Sequence, residues 1–316
     1  MLSGFSIKQS GKSIGRNRNG RGTIRTMGVF DPQGPVALEE RNLIVIAVVL
    51  MLLVAIPMLV ALYTFAWKYR AGNKKAKHDP ERVGGTWRQL IWWAIPAALI
   101  AVIAVINWKS THALDPTNAI ASSNAPLTIQ VVALEWKWLF IYPTQGIATV
   151  NFIQFPENKP VHFELTADAP MSSFWIPQLG SQIYAMAAME TQLNLMADTT
   201  GEFTGKDTEI NGAGYAGMTF IAKSSSQADF NAWVASVQNS SNTLDVAAYN
   251  TLAAPSQNNP PAYYSSVDPA LYDNILMKYM IPSSSSAPEE ATGIPTSTAA
   301  ASGTMPNMQM MPGMQM

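Results

Sequence analysis

The sequence predicts a membrane α plus all-β protein. An N-terminal transmembrane hairpin of two helices precedes a β-sandwich or barrel, and short C-terminal helices follow. Three observations carry this. Charged residues make up 13% of the 316 positions and hydrophobic ones 48%, where a soluble chain has roughly 25% charged. Two long uncharged runs lie near the N-terminus. After Thr111, short β-branched and aromatic runs alternate with turn residues.

The first run, Leu43 to Leu62, holds 20 residues without a polar side chain. At 1.5 Å per residue it spans about 30 Å, a hydrocarbon core. Tyr63, Trp67 and Tyr69 follow it, with Lys68 and Arg70, an aromatic belt with a cationic edge. The second run, Leu90 to Ile106, is flanked by Trp92 and Trp93 near one end and by Trp108 with Lys109 at the other. Pro57 and Pro96 fall inside the runs, where bilayer helices tolerate a kink. Helices are expected over about 43–67 and 89–109, in a hairpin over 42–110. The connection from Lys68 to Arg88 holds seven cations against Asp79 and Glu81, about +5, which places it in the cytoplasm. Both termini then face the periplasm of a bacterium, and the chain is a multi-pass protein of the inner membrane. Residues 1–41 are a tail. Its first 30 residues carry Lys8, Lys12, Arg16, Arg18, Arg21 and Arg25 and no acid, and they contain no apolar stretch of signal-peptide length.

The soluble part divides at composition shifts. Strands are expected at 127–134, 136–142, 148–155, 161–167, 191–197 and 218–223, in a domain over 111–225. His162 sits in an alternating strand and reads as a half-buried strand histidine. Helices follow at 226–237, 245–252 and 269–280, in an extension over 226–285. Residues 286–316 are rich in Ser, Pro, Thr and Ala and end in MPNMQMMPGMQM, which lacks the aliphatic content to pack. The six methionines between Met305 and Met316 offer soft thioethers to Cu(I).

Composition also excludes. There is no cysteine, hence no disulfide, no thiolate-held metal and no thiol nucleophile. The three histidines, His78, His112 and His162, are far apart and leave little for a haem. A net charge of −1 gives no pull toward nucleic acid.

Separated motifs in a fixed order complete the reading. EWKWLFIYPTQGIATVN (135–151), SSFWIPQLGSQIYAMAAMETQLNLMA (172–197) and GEFTGKDTEINGAGYAGM (201–218) resemble subunit II of the haem–copper respiratory oxidases, in the branch of bacterial cytochrome bo-type ubiquinol oxidases. The resemblance covers roughly residues 31–285. It implies that the β-domain is a cupredoxin-like barrel. In copper-bearing relatives that barrel holds a dinuclear centre of two thiolates, two imidazoles and a thioether. Carried over, the first histidine position is Ser172, the cysteine positions are Asp207 and Asn211, and the second histidine position is Tyr215. Met218 keeps the thioether, and Glu209 keeps the residue that lends a backbone carbonyl. Carboxylate, amide and phenol are hard donors, unsuited to bridging copper, so this chain is expected to hold no metal.

The resemblance further implies a part without catalytic residues or cofactor of its own. Its partners would be oxidase subunit I, which would hold haem b, haem o and one copper, together with subunits III and IV and membrane lipid. The complex would oxidise ubiquinol, reduce O2 to water, move protons and make no use of cytochrome c. Trp136 and Trp138, at the electron-entry aromatics of copper-bearing relatives, read here as packing. Relatives commonly carry a Glu seven residues before the helix proline, at the mouth of a proton path. Counting back from Pro96 gives Gln89, which cannot titrate. Two other readings stand beside this one. A membrane-tethered copper-binding or delivery module would rest on the methionine tail, and cytochrome c oxidase subunit II itself fails for want of cysteine.

Overall fold

The computed structural model describes residues 28–73 and 85–280. The cationic tail, most of the connecting loop with Asp79 and Glu81, and the methionine-rich segment lie outside the described residues. Helices α1 (Pro35–Lys68) and α2 (Thr86–Ala113) contain the two apolar runs and are long and apolar enough to cross a membrane. Both are longer than their apolar runs. α1 opens at Pro35 after Gly34, since proline at a first helical position gives up only an N–H that has no partner there. Residues 35–41, expected as tail, are therefore helical.

The strands are β1 (Leu127–Leu134), β2 (Lys137–Tyr142), β3 (Ile147–Val150), β4 (Phe152–Pro156), β5 (Val161–Ala167), β6 (Ser172–Trp175), β7 (Ile183–Ala185), β8 (Thr191–Leu195), β9 (Gly201–Asp207) and β10 (Thr219–Ser225). Helix α3 (Gln227–Gln238) leads to β11 (Thr243–Leu244), α4 (Val246–Ala253), β12 (Ala262–Tyr264), β13 (Ser266–Val267) and α5 (Leu271–Lys278). One sheet has the order β12-β3-β2-β1-β5-β8 and the facing one β4-β10-β9-β6-β7, while β11 and β13 form a separate pair. The pairs β1–β5 and β4–β10 are parallel. This is the cupredoxin-like sandwich.

The run expected as one strand over 148–155 is two. Asn151, at φ 54°, turns the chain from one sheet into the other. Asparagine tolerates this left-handed conformation, and its side chain holds the corner. Its Oδ1 accepts from the Trp138 N–H at 2.9 Å, and its Nδ2 donates to the Asn259 carbonyl at 2.9 Å.

Between the sheets sits an aromatic cluster. Phe174 and Phe220 stack at 5.0 Å, with Trp138 edge-on to Phe174 at 5.3 Å and Phe163 tilted against Phe174 at 5.3 Å. The other face of β1 and β2 buries Val132, Leu134, Leu139 and Ile141 under Tyr249 of α4 and Leu271, Tyr272 and Ile275 of α5. Both faces are covered over β2 and the second half of β1, so Val131–Leu134 and Trp138–Tyr142 read as continuous apolar runs rather than alternating ones. The fully buried Lys137 points to the same side. Its Nζ donates to the carbonyls of Leu252 and Ala254, each at 2.7 Å, and to Ser256. A cation thus sits on the C-terminal carbonyls of α4, where the helix dipole is negative.

The segment before α1 is built into the β-domain. Gln33 N–H donates to the Gln178 carbonyl at 2.8 Å, and the Gln33 carbonyl accepts from the Asp198 N–H at 2.8 Å. A Cβ at Gly34 would lie 2.1 Å from the Met196 carbonyl oxygen, so only glycine passes there. After α2, Asn194 Nδ2 donates to the carbonyls of Pro116 and Thr117 at 3.2 Å. Asn194 also engages His162, whose Nδ1 lies 2.9 Å from its Oδ1. His162 is half-buried in β5 as expected, with 23% of its side chain exposed.

One carboxylate latches the extension. Asp168, its side chain 2% exposed, accepts from Lys278 Nζ at 2.7 Å, from the Tyr249 hydroxyl at 2.6 Å and from the Tyr279 hydroxyl at 2.5 Å. Burial pushes its pKa up, but the Lys278 ammonium and the two phenols outweigh this and hold it below the usual carboxylate value. A depressed carboxylate stabilises the fold fully above its unfolded pKa of about 4. That contribution is lost as pH falls through the lower folded value. Asp168→Ala is expected to cost about 2–4 kcal/mol. The check is thermal unfolding of the detergent-solubilised chain from pH 7 to pH 3. The gap between the two proteins should hold at neutral pH and close at the acid end.

Candidate functional site

The residues that the sequence analysis placed at copper-ligand positions lie where β6 starts and β9 ends. Phe174 in β6 pairs with Asp207 in β9, and this register brings Ser172 and Ser173 alongside Asp207. The chain beyond Asp207 folds back on the strands. The Asp207 N–H donates to the Met218 carbonyl at 3.0 Å and the Thr208 N–H to the Ser173 carbonyl at 3.3 Å.

Inside this loop Asp207 is buried. Its Oδ1 accepts from the Ser173 N–H at 2.7 Å and the Glu209 N–H at 3.0 Å. Its Oδ2 accepts from Asn211 Nδ2 at 2.9 Å. The same Nδ2 lies 2.8 Å from Ser172 Oγ, and Ser172 Oγ donates in turn to the Pro170 carbonyl at 3.3 Å. Ser172, Asp207 and Asn211 are thus joined by one amide that bridges two oxygens. Met218 is buried in the same loop. Tyr215 heads a single 3₁₀ turn, Tyr215–Gly217, and among the described contacts it makes no hydrogen bond to the trio. Burial raises the Asp207 pKa, against the lowering effect of the backbone N–H groups of Glu209, Ser173 and Thr208, and the Glu209 charge adds to the rise.

Trp136 closes the loop from outside. It holds φ 61°, and its ring lies on the loop backbone. A Cβ at Gly214 would come within 2.4 Å of the ring and one at Gly212 within 3.0 Å. Gly212 and Gly214 of NGAGYAG form the seat of that indole. Trp138, two residues on, is fully buried between the sheets. By sequence both tryptophans read as packing, and the pairing of Trp136 with the glycines is given by the structure. The signal was present in the spacing of Gly212 and Gly214 beside an aromatic segment.

The donor set decides what the loop can hold. A dinuclear copper centre needs two bridging thiolates, and the chain has no cysteine. Ser172 Oγ, Asp207 and Asn211 Nδ2 are engaged with one another, Asn211 Oδ1 is the one buried oxygen of the trio without a hydrogen-bond partner among the described residues, and hard donors do not suit that metal. Among the described residues no group of three His, Cys, Asp or Glu side chains converges as metal ligands. The residues do not fit the copper centre.

Known proteins agree with this architecture. The family model described as cytochrome C oxidase subunit II, periplasmic domain, matches residues 143–225, and the COX Aromatic Rich Motif matches residues 238–283. The cytochrome bo(3) ubiquinol oxidase subunit 2 of Pseudomonas putida is 51% identical over 251 residues, 79% of this chain and 80% of that protein. The protein of that name from Pseudomonas aeruginosa is 48% identical over 80% of this chain and 76% of its own. The ubiquinol oxidase subunit 2 of Acetobacter aceti is 44% identical over 80% of this chain and 83% of its own.

The chain belongs to the quinol oxidase subunit 2 family.

In this subunit the aromatic-rich match falls on the extension that carries Tyr249, Tyr263, Tyr264, Tyr272 and Tyr279. By sequence that stretch reads only as short helices. Its density of tyrosines marked a surface built to cover the outer sheet face.

The loop network makes a specific prediction. Asp207→Ala strands two backbone N–H groups and the Asn211 amide, and is expected to destabilise by about 2–3 kcal/mol. Asp207→Asn keeps an oxygen for the N–H groups, removes a buried charge and turns a donor toward Asn211, whose unpartnered Oδ1 accepts it once that amide turns over, and is expected to fall within about 1 kcal/mol of the parent. Denaturant unfolding of the three proteins at pH 7 checks this. Equal losses for both substitutions would rule out the hydrogen-bond account.

Proposed function

We propose that this subunit is the non-redox subunit II of a proton-pumping ubiquinol oxidase, which passes electrons from ubiquinol to O2 in an aerobic respiratory chain. The observation that carries the non-redox reading is the loop at Asp207. Of the positions where copper-bearing relatives place metal ligands, Ser172, Asp207 and Asn211 are spent on hydrogen bonds, with Asn211 Nδ2 shared between Asp207 at 2.9 Å and Ser172 at 2.8 Å. A subunit without that centre offers no port for electrons from cytochrome c, in keeping with a complex fed from the membrane by quinol. In this reading Ser172, Asp207, Asn211 and Tyr215 are vacated ligand positions, with Met218 and Glu209 retained. Haem b, haem o and one copper belong to subunit I. The hairpin packs on subunit I, the β-domain caps its periplasmic face, subunits III and IV complete the complex, and both termini of this chain are periplasmic.

Purification through this chain tests it. The expected complex shows reduced-minus-oxidised haem spectra and one copper, without the purple absorption of a mixed-valence pair. A chain that purifies alone, loaded with Cu(I), would sink the proposal in favour of the copper-delivery alternative.

Gln89 carries the proton part. It lies in the first turn of α2, exposed, with Gly85 as N-cap. A carboxylate at such an end of a membrane helix still reaches water, and its cost falls well below the bilayer-centre value of about +2.5 to +3.5 kcal/mol. Gln89→Glu should therefore assemble with unchanged haem content. If the side chain faces a proton path in subunit I, quinol oxidase turnover should stay equal or rise, with the gain largest at alkaline pH. Oxygen consumption against pH, at matched haem, is the measurement, and identical profiles would leave Gln89 as a polar interfacial residue.

A further inference from the structure

Helices α1 and α2 leave a groove of about 540 Å³ between them. Its walls are apolar, from Met58 and Leu99 up to Leu43, except at one end, where Asn107 and Ser110 of α2 enter it. A second pocket of about 230 Å³ lies where the helices meet the β-domain, lined by Val36, Leu114, Asp115, Asn118, Ser181 and Asn194 among others. The two cavities follow one another along a single face of α1. Val36 lines the pocket, and Leu43, Ala47, Leu50 and Val54 line the groove. Glu40 falls between Val36 and Leu43 at the three-to-four-residue spacing that keeps side chains on one helix face. The Ser181 hydroxyl, itself part of the pocket wall, donates to the Glu40 carboxylate.

The order of chemistry along this face is an apolar slot, then two neutral polar groups, then a half-buried carboxylate beside a polar pocket. That order is the order of a phospholipid: acyl chain, ester region, headgroup. From Leu43 to Met58 the slot runs about 22 Å at 1.5 Å per residue, enough for a chain crossing one leaflet of about 15 Å. Charge selects the headgroup. Neither cavity is lined by lysine or arginine, and the acids Glu40 and Asp115 stand at the polar end. An ammonium complements them, and a purely anionic headgroup is repelled.

We propose that this cleft holds one phospholipid as a fixed part of the subunit, with an acyl chain between α1 and α2 and a primary ammonium headgroup at Glu40. The lipid closes a hairpin whose helices do not close on each other, and it ties the membrane part to the β-domain at the point where Ser181 holds Glu40. The inference rests on the membrane hairpin and stands apart from the copper and proton readings.

Native mass spectrometry of the detergent-solubilised complex, with this subunit released in the gas phase, tests it. The released subunit should carry one mass of an ethanolamine phospholipid. Leu50→Trp fills the slot and should abolish the adduct in a complex of unchanged haem content. Glu40→Gln removes the headgroup partner without changing shape. It should lower retention of the ethanolamine lipid about fivefold, the scale of a half-exposed ion pair. In nanodiscs, phosphatidylethanolamine should be retained and phosphatidylglycerol released. A bare subunit from an intact complex overturns the proposal. So does an adduct indifferent to both substitutions, which marks an adventitious lipid only. A photo-crosslinker at Leu50 that captures a peptide of another subunit instead of lipid also overturns it, by showing the groove filled with protein.

Discussion

Strand β2 has no solvent side, and the β-domain is organised around that fact. Trp138, Phe140 and Tyr142 point between the two sheets, while Lys137, Leu139 and Ile141 point outward and are equally buried. Leaving the outward face in water would forfeit about 1.5–3 kcal/mol for each large apolar side chain. The cover comes from the extension after α3, where α4 and α5 lie across β1 and β2. Two ionic groups then tie the cover down in opposite ways. Lys137 reaches up from the sheet to the end of α4, and Lys278 reaches down from the end of α5 to Asp168. A core sealed on two sides leaves the loop ends as the places where chemistry can vary.

The loop after β9 is such a place. In a cupredoxin-like barrel it sits between two strands whose register is set by the sheet, so its shape survives a change of content. Here the content is a carboxylate, an amide and a hydroxyl joined through Asn211 Nδ2, with an indole seated on Gly212 and Gly214. Asp207 is the costly member, since burial disfavours its charge while the backbone N–H groups of Ser173, Thr208 and Glu209 favour it. Asn211 binds the carboxylate to Ser172 and so holds the loop to β6. Such a network fixes the geometry of the loop.

The junction of hairpin and β-domain follows the same economy of contact. Gln33 enters the β-domain by backbone hydrogen bonds, Gly34 allows the close pass over Met196, and Pro35 starts the helix at once. On the other side Asn194 takes the chain leaving α2. Among the described residues the membrane helices are thus fastened to the β-domain at one end, beside Gln33 and Asn194.

Much of this was legible in the sequence. The membrane runs, the strands at 127–134 and 161–167, the half-buried His162 and the lack of any thiolate ligand are properties of composition and of spacings under ten residues. So are the starts of α3 and α4, where Ser226 and Asp245 cap the helices with their own side chains. Only the tertiary structure decided the rest. The run at 148–155 is two strands because Asn151 is held by Trp138 and Asn259, 13 and 108 residues away. The helix at Pro35 begins where residues 178 and 198 receive Gln33. Ser172 and Asn211 meet across 39 residues. Local propensity acts over a turn or a strand, whereas these contacts exist only once two sheets have closed on a common core.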